Sequence, residues 1–367
     1  MSRSSSNVTL DPSKLEDISL PGQRFFGLFG HIPEMDASFP FQSIWKMADQ
    51  YGPIFKLKLG DDMVYPTETN WGKAHRLLVP AFGLLGVRKM FDDMLDISSE
   101  MVLKWDRLGA QNEIDMADDL TRLAFDTIGL CAFSFRFNEF YGEQVHPFAG
   151  QMARVLLASG KRAFRPGLVN QVLTWSENER QEDISKMHAV ADEIVRDREA
   201  HPQPDNKDLL NTMLSTADRE TGEKLSDENI RFNLVTFLVA GHETTSGTLC
   251  FLYYNLLRNP ETFIKAQQEV DRVVGDSVLT LEHLPSLTYL DACIKETLRL
   301  SSPIPTLVVK PKQDTSLGGR YKVSSNTWVQ CNMRGLHTDP AVWGEDANVF
   351  RLERMLNGAF ASLPPNS

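Results

Sequence analysis

Four cysteines in 367 residues, Cys131, Cys250, Cys293 and Cys331, stand far apart in apolar or helical contexts and form no Cys-x-x-Cys pair. Neither a disulfide frame nor a zinc site is suggested, and all four read as reduced structural thiols of a cytoplasmic protein. No block of Lys and Arg stands out, and 38 basic against 49 acidic residues leave a net charge of −11. The electrostatic footprint of a nucleic-acid binder is missing. The N-terminal residues, Met1 to Lys14, contain no apolar core resembling a signal peptide or anchor. The most apolar stretch, Phe232 to Leu257, is interrupted by His242, Glu243, Thr244, Thr245 and Ser246. That centre is too polar for a membrane span, and the stretch reads instead as a long buried helix. Repeats and low-complexity segments are also lacking.

What is present is apolar surface in quantity: 42% of the residues are hydrophobic, enough for a sizeable core. Three- and four-residue apolar spacing predicts helices over Val87–Leu108 and Ala117–Phe133. Glu177–Ala200 reads as a charged amphipathic helix ending at the breaker His201-Pro202-Gln203-Pro204. Ser226 is an N-cap candidate followed by two acids, and the pattern then runs to Asn259-Pro260, roughly 48 Å of helix at 1.5 Å per residue. Pro260 opens a further helix and Leu287–Leu300 forms another. Beyond Arg299, short strands are expected at Leu307–Val309, around the Gly318-Gly319 turn and at Thr327–Gln330. The expected fold is mainly α with a small β-sheet (α+β), as a single unit over 1–367.

Three constellations carry chemistry. In Ala240-Gly241-His242-Glu243-Thr244-Thr245-Ser246, glycine and two threonines in a helix interior cost stability, so something else must favour them. Gly241 lets a flat ligand approach the backbone, while the Thr244 hydroxyl can bond the Ala240 carbonyl four residues back and bend the helix. The alternative is a helix-packing glycine beside solvated polar residues. His242-Glu243 lacks a histidine at the i+4 position and so does not make a zincin site. Glu296 and Arg299 lie three apart on one helical face, a structural ion pair that burial would oblige to find further partners, with Arg354 as the candidate third member. Trp71 and His75 lie four apart and could bind an anionic group, or be a surface aromatic beside a helix histidine.

In this order, with Leu336-His337-Thr338-Asp339-Pro340 and Phe350-Arg351-Leu352-Glu353-Arg354-Met355, these segments resemble the cytochromes P-450 over nearly the whole chain. The likeness is greatest to the self-sufficient, reductase-fused fatty-acid hydroxylases. It implies a haem b monooxygenase acting on a fatty acid or similar long apolar substrate. Electrons from NADPH would arrive through FAD and FMN of a flavin reductase not present in this chain. Trp71 and His75 would contact haem propionates, and Ala240 and Gly241 would lie against the haem face. Glu243 and Thr244 would be the acid–alcohol pair that delivers protons. Ile304 and Thr306 would border the substrate pocket, His337 would be a lesser member of the site, and Glu296, Arg299 and Arg354 would form the ion-pair triad.

Two departures from the family pattern stand out. The Phe-x-x-Gly-x-x-x-Cys-x-Gly loop that supplies the axial thiolate is expected shortly after Arg354, and the sequence ends first, at Leu363-Pro364-Pro365-Asn366-Ser367. None of the four cysteines has the flanking glycines, so no metal ligand is assigned and the chain reads as a partial haem domain. An internal deletion is also expected near residues 61–67, where Thr67 to Trp71 follow Gly60-Asp61-Asp62 almost at once. Thiolate ligation holds the iron and favours O–O cleavage. The alternative to an active enzyme is accordingly a non-catalytic truncated chain or gene-model product.

Overall fold

The computed structural model describes residues 15–18, 35–36, 40–52, 54–57, 68–163 and 174–363. The expected deletion near residues 61–67 lies outside them.

Thirteen α-helices are present among the described residues: α1 (Pro40–Tyr51), α2 (Glu68–Leu78), α3 (Leu84–Arg88), α4 (Phe91–Leu108), α5 (Met116–Phe133), α6 (Pro147–Ala163), α7 (Thr174–Ala200), α8 (Leu209–Ser215), α9 (Asp227–Arg258), α10 (Pro260–Val273), α11 (Thr288–Leu300), α12 (Met333–His337) and α13 (Pro340–Trp343). Four short strands follow α11. β1 (Thr306–Val309) pairs antiparallel with β4 (Val329–Asn332), Thr306 opposite Asn332. β2 (Thr315–Leu317) and β3 (Tyr321–Val323) form a hairpin whose turn residues, Gly318 and Gly319, have φ of +59° and +70°. Two successive positive φ angles are what a type I′ hairpin turn demands, and glycine adopts them without strain. The architecture is mainly helical with a small sheet, as expected.

The 32-residue helix α9 organises the molecule. The Ser226 hydroxyl accepts a hydrogen bond from the Asn229 backbone N–H, and Asp227 and Glu228 place negative charge at the positive end of the helix dipole. Pro260 stops it by lacking an N–H donor, and opens α10. Along α9 the buried positions step by four through Ile230, Leu234, Leu238, His242 and Ser246, then resume at Leu252 and Leu256. Four residues overshoot a full turn by about 40°, so the buried stripe winds around the helix and lets it meet several neighbours in succession. The largest of these interfaces is with α5.

α5 is buried on most of its circumference. Asp115 caps it, accepting from the backbone N–H groups of Ala117 and Asp118 at 3.0 and 3.1 Å. Phe125 (0% exposed), Phe133, Phe148, Leu234 and Leu238 belong to one core between α5, α6 and α9. Each such side chain contributes about 1.5–3 kcal/mol on removal from water. A second core, with Leu252, Leu256, Cys293 and Leu352, joins the C-terminal half of α9 to α11 and the 352–354 turn.

α4 starts at Phe91 rather than Val87 because Lys89 and Met90 interrupt the helix: Val87 and Arg88 end the short helix α3, and Met90, with ψ of 0°, is the N-cap of α4. A Cβ on Gly86, within α3, would strike the Ala81 carbonyl, so only glycine fits there. No helix among the described residues is long and apolar enough to cross a membrane.

Candidate active site on the long helix

The polar centre of α9 is held by side chains that return their hydroxyls to their own helix. Thr244 Oγ1 donates to the Ala240 carbonyl at 2.6 Å, as its spacing predicts, and Thr248 Oγ1 donates to the Thr244 carbonyl at 2.7 Å. Ser246 Oγ donates to the His242 carbonyl at 2.9 Å on the buried side. Ala240 and Glu243 are exposed and Thr244 is half-buried. Residues 240, 244 and 247 recur at four and three, so they share one face. A Cβ built on Gly247 meets nothing within 4 Å, which leaves that face open one turn beyond Thr244. The result is an open, polar-centred stripe: a methyl at 240, a hydroxyl at 244, and a solvent-connected carboxyl at 243.

The neighbouring residues face inward. His242 is 4% exposed, its ring meets Phe125 edge-on at 5.6 Å, and neither ring nitrogen has a hydrogen-bond partner. Burial pushes its pKa down to about 4, so the imidazole is neutral. A Cβ on Gly241 would lie 2.9 Å from Ile128 of α5, so the glycine here admits the neighbouring helix, the helix-packing alternative of the sequence.

Elsewhere the expected residues are distributed as follows. His75 is exposed on α2, and Trp71 lies on the same helix with its side chain outside the described residues. Ile304 is 56% exposed just before β1, and half-buried Thr306 opens that strand. Glu296 and Arg299 form a bidentate pair, Nε to Oε2 at 2.8 Å and Nη2 to Oε1 at 2.7 Å. The carbonyl of His337 accepts from Arg299 Nη1 at 2.7 Å, and burial lowers the His337 pKa.

Arg354 corrects the three-member triad. Its Nη2 donates to the backbone and carboxylate oxygens of Asp346 at 2.8 and 2.5 Å, while Nε and Nη1 are buried without a partner. Glu296 instead takes the Arg351 backbone N–H at 2.9 Å. The physical reason is the path of the chain: Asp346, eight residues back, lies within hydrogen-bond reach of Arg354, while Glu296 already accepts twice from Arg299 and once from the Arg351 backbone N–H. A composition reading could not single out Asp346, one acid among 49.

The fit of this site to a haem is one-sided. A flat ligand could lie on the open face of α9 beside Ala240 and Thr244. The thiols do not complement it: Cys131 and Cys293 are buried, their pKa values pushed up to about 12, Cys250 turns into the core between α9 and α4, and Cys331 is exposed on β4. Cys131, Cys250 and Cys293 thus pack into the interior rather than onto that face, and Cys331 stands opposite Leu307 in the β1–β4 pair.

The comparisons with known proteins agree on one family. The cytochrome P450 family model matches residues 58–364. The chain is 42% identical over 390 residues to a self-sufficient cytochrome P450 monooxygenase of Phanerodontia chrysosporium, covering 95% of this chain and 37% of that protein. It is 43% identical over 389 residues to a bifunctional cytochrome P450/NADPH–P450 reductase of Fusarium oxysporum, covering 95% and 36%. A bifunctional cytochrome P450/NADPH–P450 reductase of Bacillus subtilis is 37% identical over 376 residues. The chain thus spans little more than a third of the length of these relatives. An alignment of 390 positions also exceeds the 367 residues available, so the relative has residues with no counterpart here.

Proposed function

The chain belongs to the cytochrome P450 family, and on that premise we propose that it supplies the oxygen-facing wall of a haem monooxygenase that hydroxylates a fatty acid or similarly long apolar molecule. Bound haem would supply the oxygen-activating chemistry. NADPH-derived electrons would come through a flavin reductase, as the bifunctional names of two relatives suggest. The four free cysteines support a cytoplasmic setting.

The observation that carries this reading is the arrangement of Ala240, Glu243 and Thr244. Ala240 leaves room for a flat group against the helix. The Thr244 hydroxyl is held in place by the Ala240 carbonyl and keeps its oxygen lone pairs available to accept a proton relay. Glu243, exposed beside it, can exchange protons with bulk water. In this reading Trp71 and His75 hold the propionates, Ala240 rather than the inward-facing Gly241 borders the haem, Ile304 and Thr306 border the substrate, and the Glu296–Arg299 pair is a folding element.

A second reading, a non-catalytic member of the family, is favoured by the packing of Cys131, Cys250 and Cys293 into the interior and by the absence of flanking glycines at Cys331. One experiment separates the two. The purified chain is reconstituted with haem, reduced and exposed to carbon monoxide. The red-shifted Soret band of thiolate-ligated iron supports the enzyme, and the absence of that band with no stoichiometric haem retained supports the second reading.

A further inference from the structure

The orientation of the open face depends on a contact made on another side of α9. An ideal Cβ on Gly241 would lie 2.9 Å from both Cδ1 and Cγ1 of Ile128 and 3.3 Å from its Cβ. Carbon atoms prefer separations of about 3.5–4.0 Å, and the Ile128 Cβ is an atom that no side-chain rotation moves. Ile128 sits inside α5, where a β-branched side chain holds essentially one χ1 rotamer. It cannot swing aside, so admitting a methyl at 241 requires a helix to shift or turn.

α5 is not free to retreat. A Cβ on the adjacent Gly129 would lie 2.7 Å from two ring carbons of Phe137 and 2.8 Å from the Phe135 carbonyl oxygen. The 135–139 loop is fastened in turn, because the buried Asp126 carboxylate accepts from the backbone N–H groups of Phe137, Asn138 and Glu139 at 2.9, 3.1 and 2.8 Å. Arg198 of α7 donates to the Phe133 carbonyl at the end of α5, at 2.8 Å. Ile128 is therefore a fixed wedge, and α9 carries the notch that fits it.

We infer that Ile128 is a positioning residue: seated in the notch at Gly241, it sets the rotation of α9 about its own axis and so turns Ala240 and Thr244 to the open face. At about 100° per residue, Ala240 and Thr244 lie about 40° apart and roughly 60–100° around the helix from Gly241. A small rotation at the notch is thus a comparable rotation of the hydroxyl and the methyl. The consequence for proton delivery rests on the function proposed above; the packing itself does not.

The test is a double-variant cycle with a thiol reporter and no haem. Ala240→Cys is placed in the parent chain, in Gly241→Ala, in Ile128→Ala and in the double variant, and maleimide labelling of residue 240 is followed by peptide mass alongside thermal unfolding. Gly241→Ala is expected to lower Tm by about 3–8 °C and to change the labelling rate at 240 at least about threefold. Ile128→Ala removes the two atoms that stand at 2.9 Å, so the double variant is expected to recover both readouts relative to Gly241→Ala. If Gly241→Ala fails to fold, Ile128→Ala alone still reports, because loosening the wedge should change labelling at 240. Unchanged labelling in Gly241→Ala and Ile128→Ala, or no recovery in the double variant, overturns the inference. Because the cycle needs no haem, its failure leaves the acid–alcohol reading to the carbon monoxide experiment, and failure there leaves this cycle standing.

Discussion

Glu296 and Arg299, three residues apart on α11, bury their charges against one another with side-chain exposures of 0% and 2%. The pair is stable because nothing polar is left over. Arg299 Nη1 also donates to the carbonyls of His337 and Ala347, and Nη2 to that of Val349, while Glu296 holds the Arg351 backbone N–H. One ion pair thereby fastens α11 to the whole segment from 337 to 351. Removing one partner leaves an unpaired buried charge, so Glu296→Ala is expected to cost about 3–5 kcal/mol, read as a fall in the urea midpoint. A loss below about 1 kcal/mol would show that the pair does not anchor the segment.

Thr244 separates structure from chemistry. The Ala240 carbonyl keeps its helical backbone partner without the Thr244 hydroxyl, so Thr244→Val is expected to change stability by less than about 1 kcal/mol. In haem-loaded protein the same variant should form product at least about 100-fold more slowly if the hydroxyl relays protons. Equal rates in the two proteins would remove Thr244 from that role.

His242 gives a pH signature. Its folded pKa of about 4 lies below the ordinary value of 6.5, so the unfolded chain binds more protons between those values. Its contribution to stability is therefore fully present above about pH 6.5 and is lost as pH falls toward 4, amounting to about 3 kcal/mol. Denaturant unfolding of His242→Leu from pH 4 to 7.5 should show a shallower loss than the parent. Parallel curves would mean that the imidazole finds a proton acceptor. His146, His188 and His337, also shifted down by burial, keep some acid sensitivity in both proteins.

Asp126 is fully buried and accepts three backbone N–H groups. Asp126→Ala leaves those donors unsatisfied and is expected to cost about 3 kcal/mol or more, with faster hydrogen exchange at Phe137, Asn138 and Glu139. Unaltered exchange at those amides would show that the loop is held by other contacts.

Much of this was legible without coordinates, for local reasons. Ser226 and Pro260 bound α9 because capping and the missing proline N–H act within a turn. The Thr244 to Ala240 bond follows from helical spacing, and Glu296 and Arg299 must share a face at i and i+3. The start of α4 at Phe91 rather than Val87 is set by the non-helical turn at Lys89–Met90, which the apolar spacing through Val87–Leu108 does not mark. The family resemblance implies Arg354 as a partner of Glu296, yet which carboxylate it meets is decided by the path of the 346–354 segment, which brings it to Asp346.

The sequence by itself determined where α9 begins and ends, which of its residues are polar, and the family to which the chain belongs, since these follow from short-range hydrogen bonding, periodicity and motif order. Only the tertiary structure decided that Gly241 is filled by Ile128, that His242 is buried rather than offered to a ligand, and that Arg354 pairs with Asp346. Those choices depend on atoms brought together across many residues of chain, where close packing leaves one solution and no spacing rule in the sequence describes it.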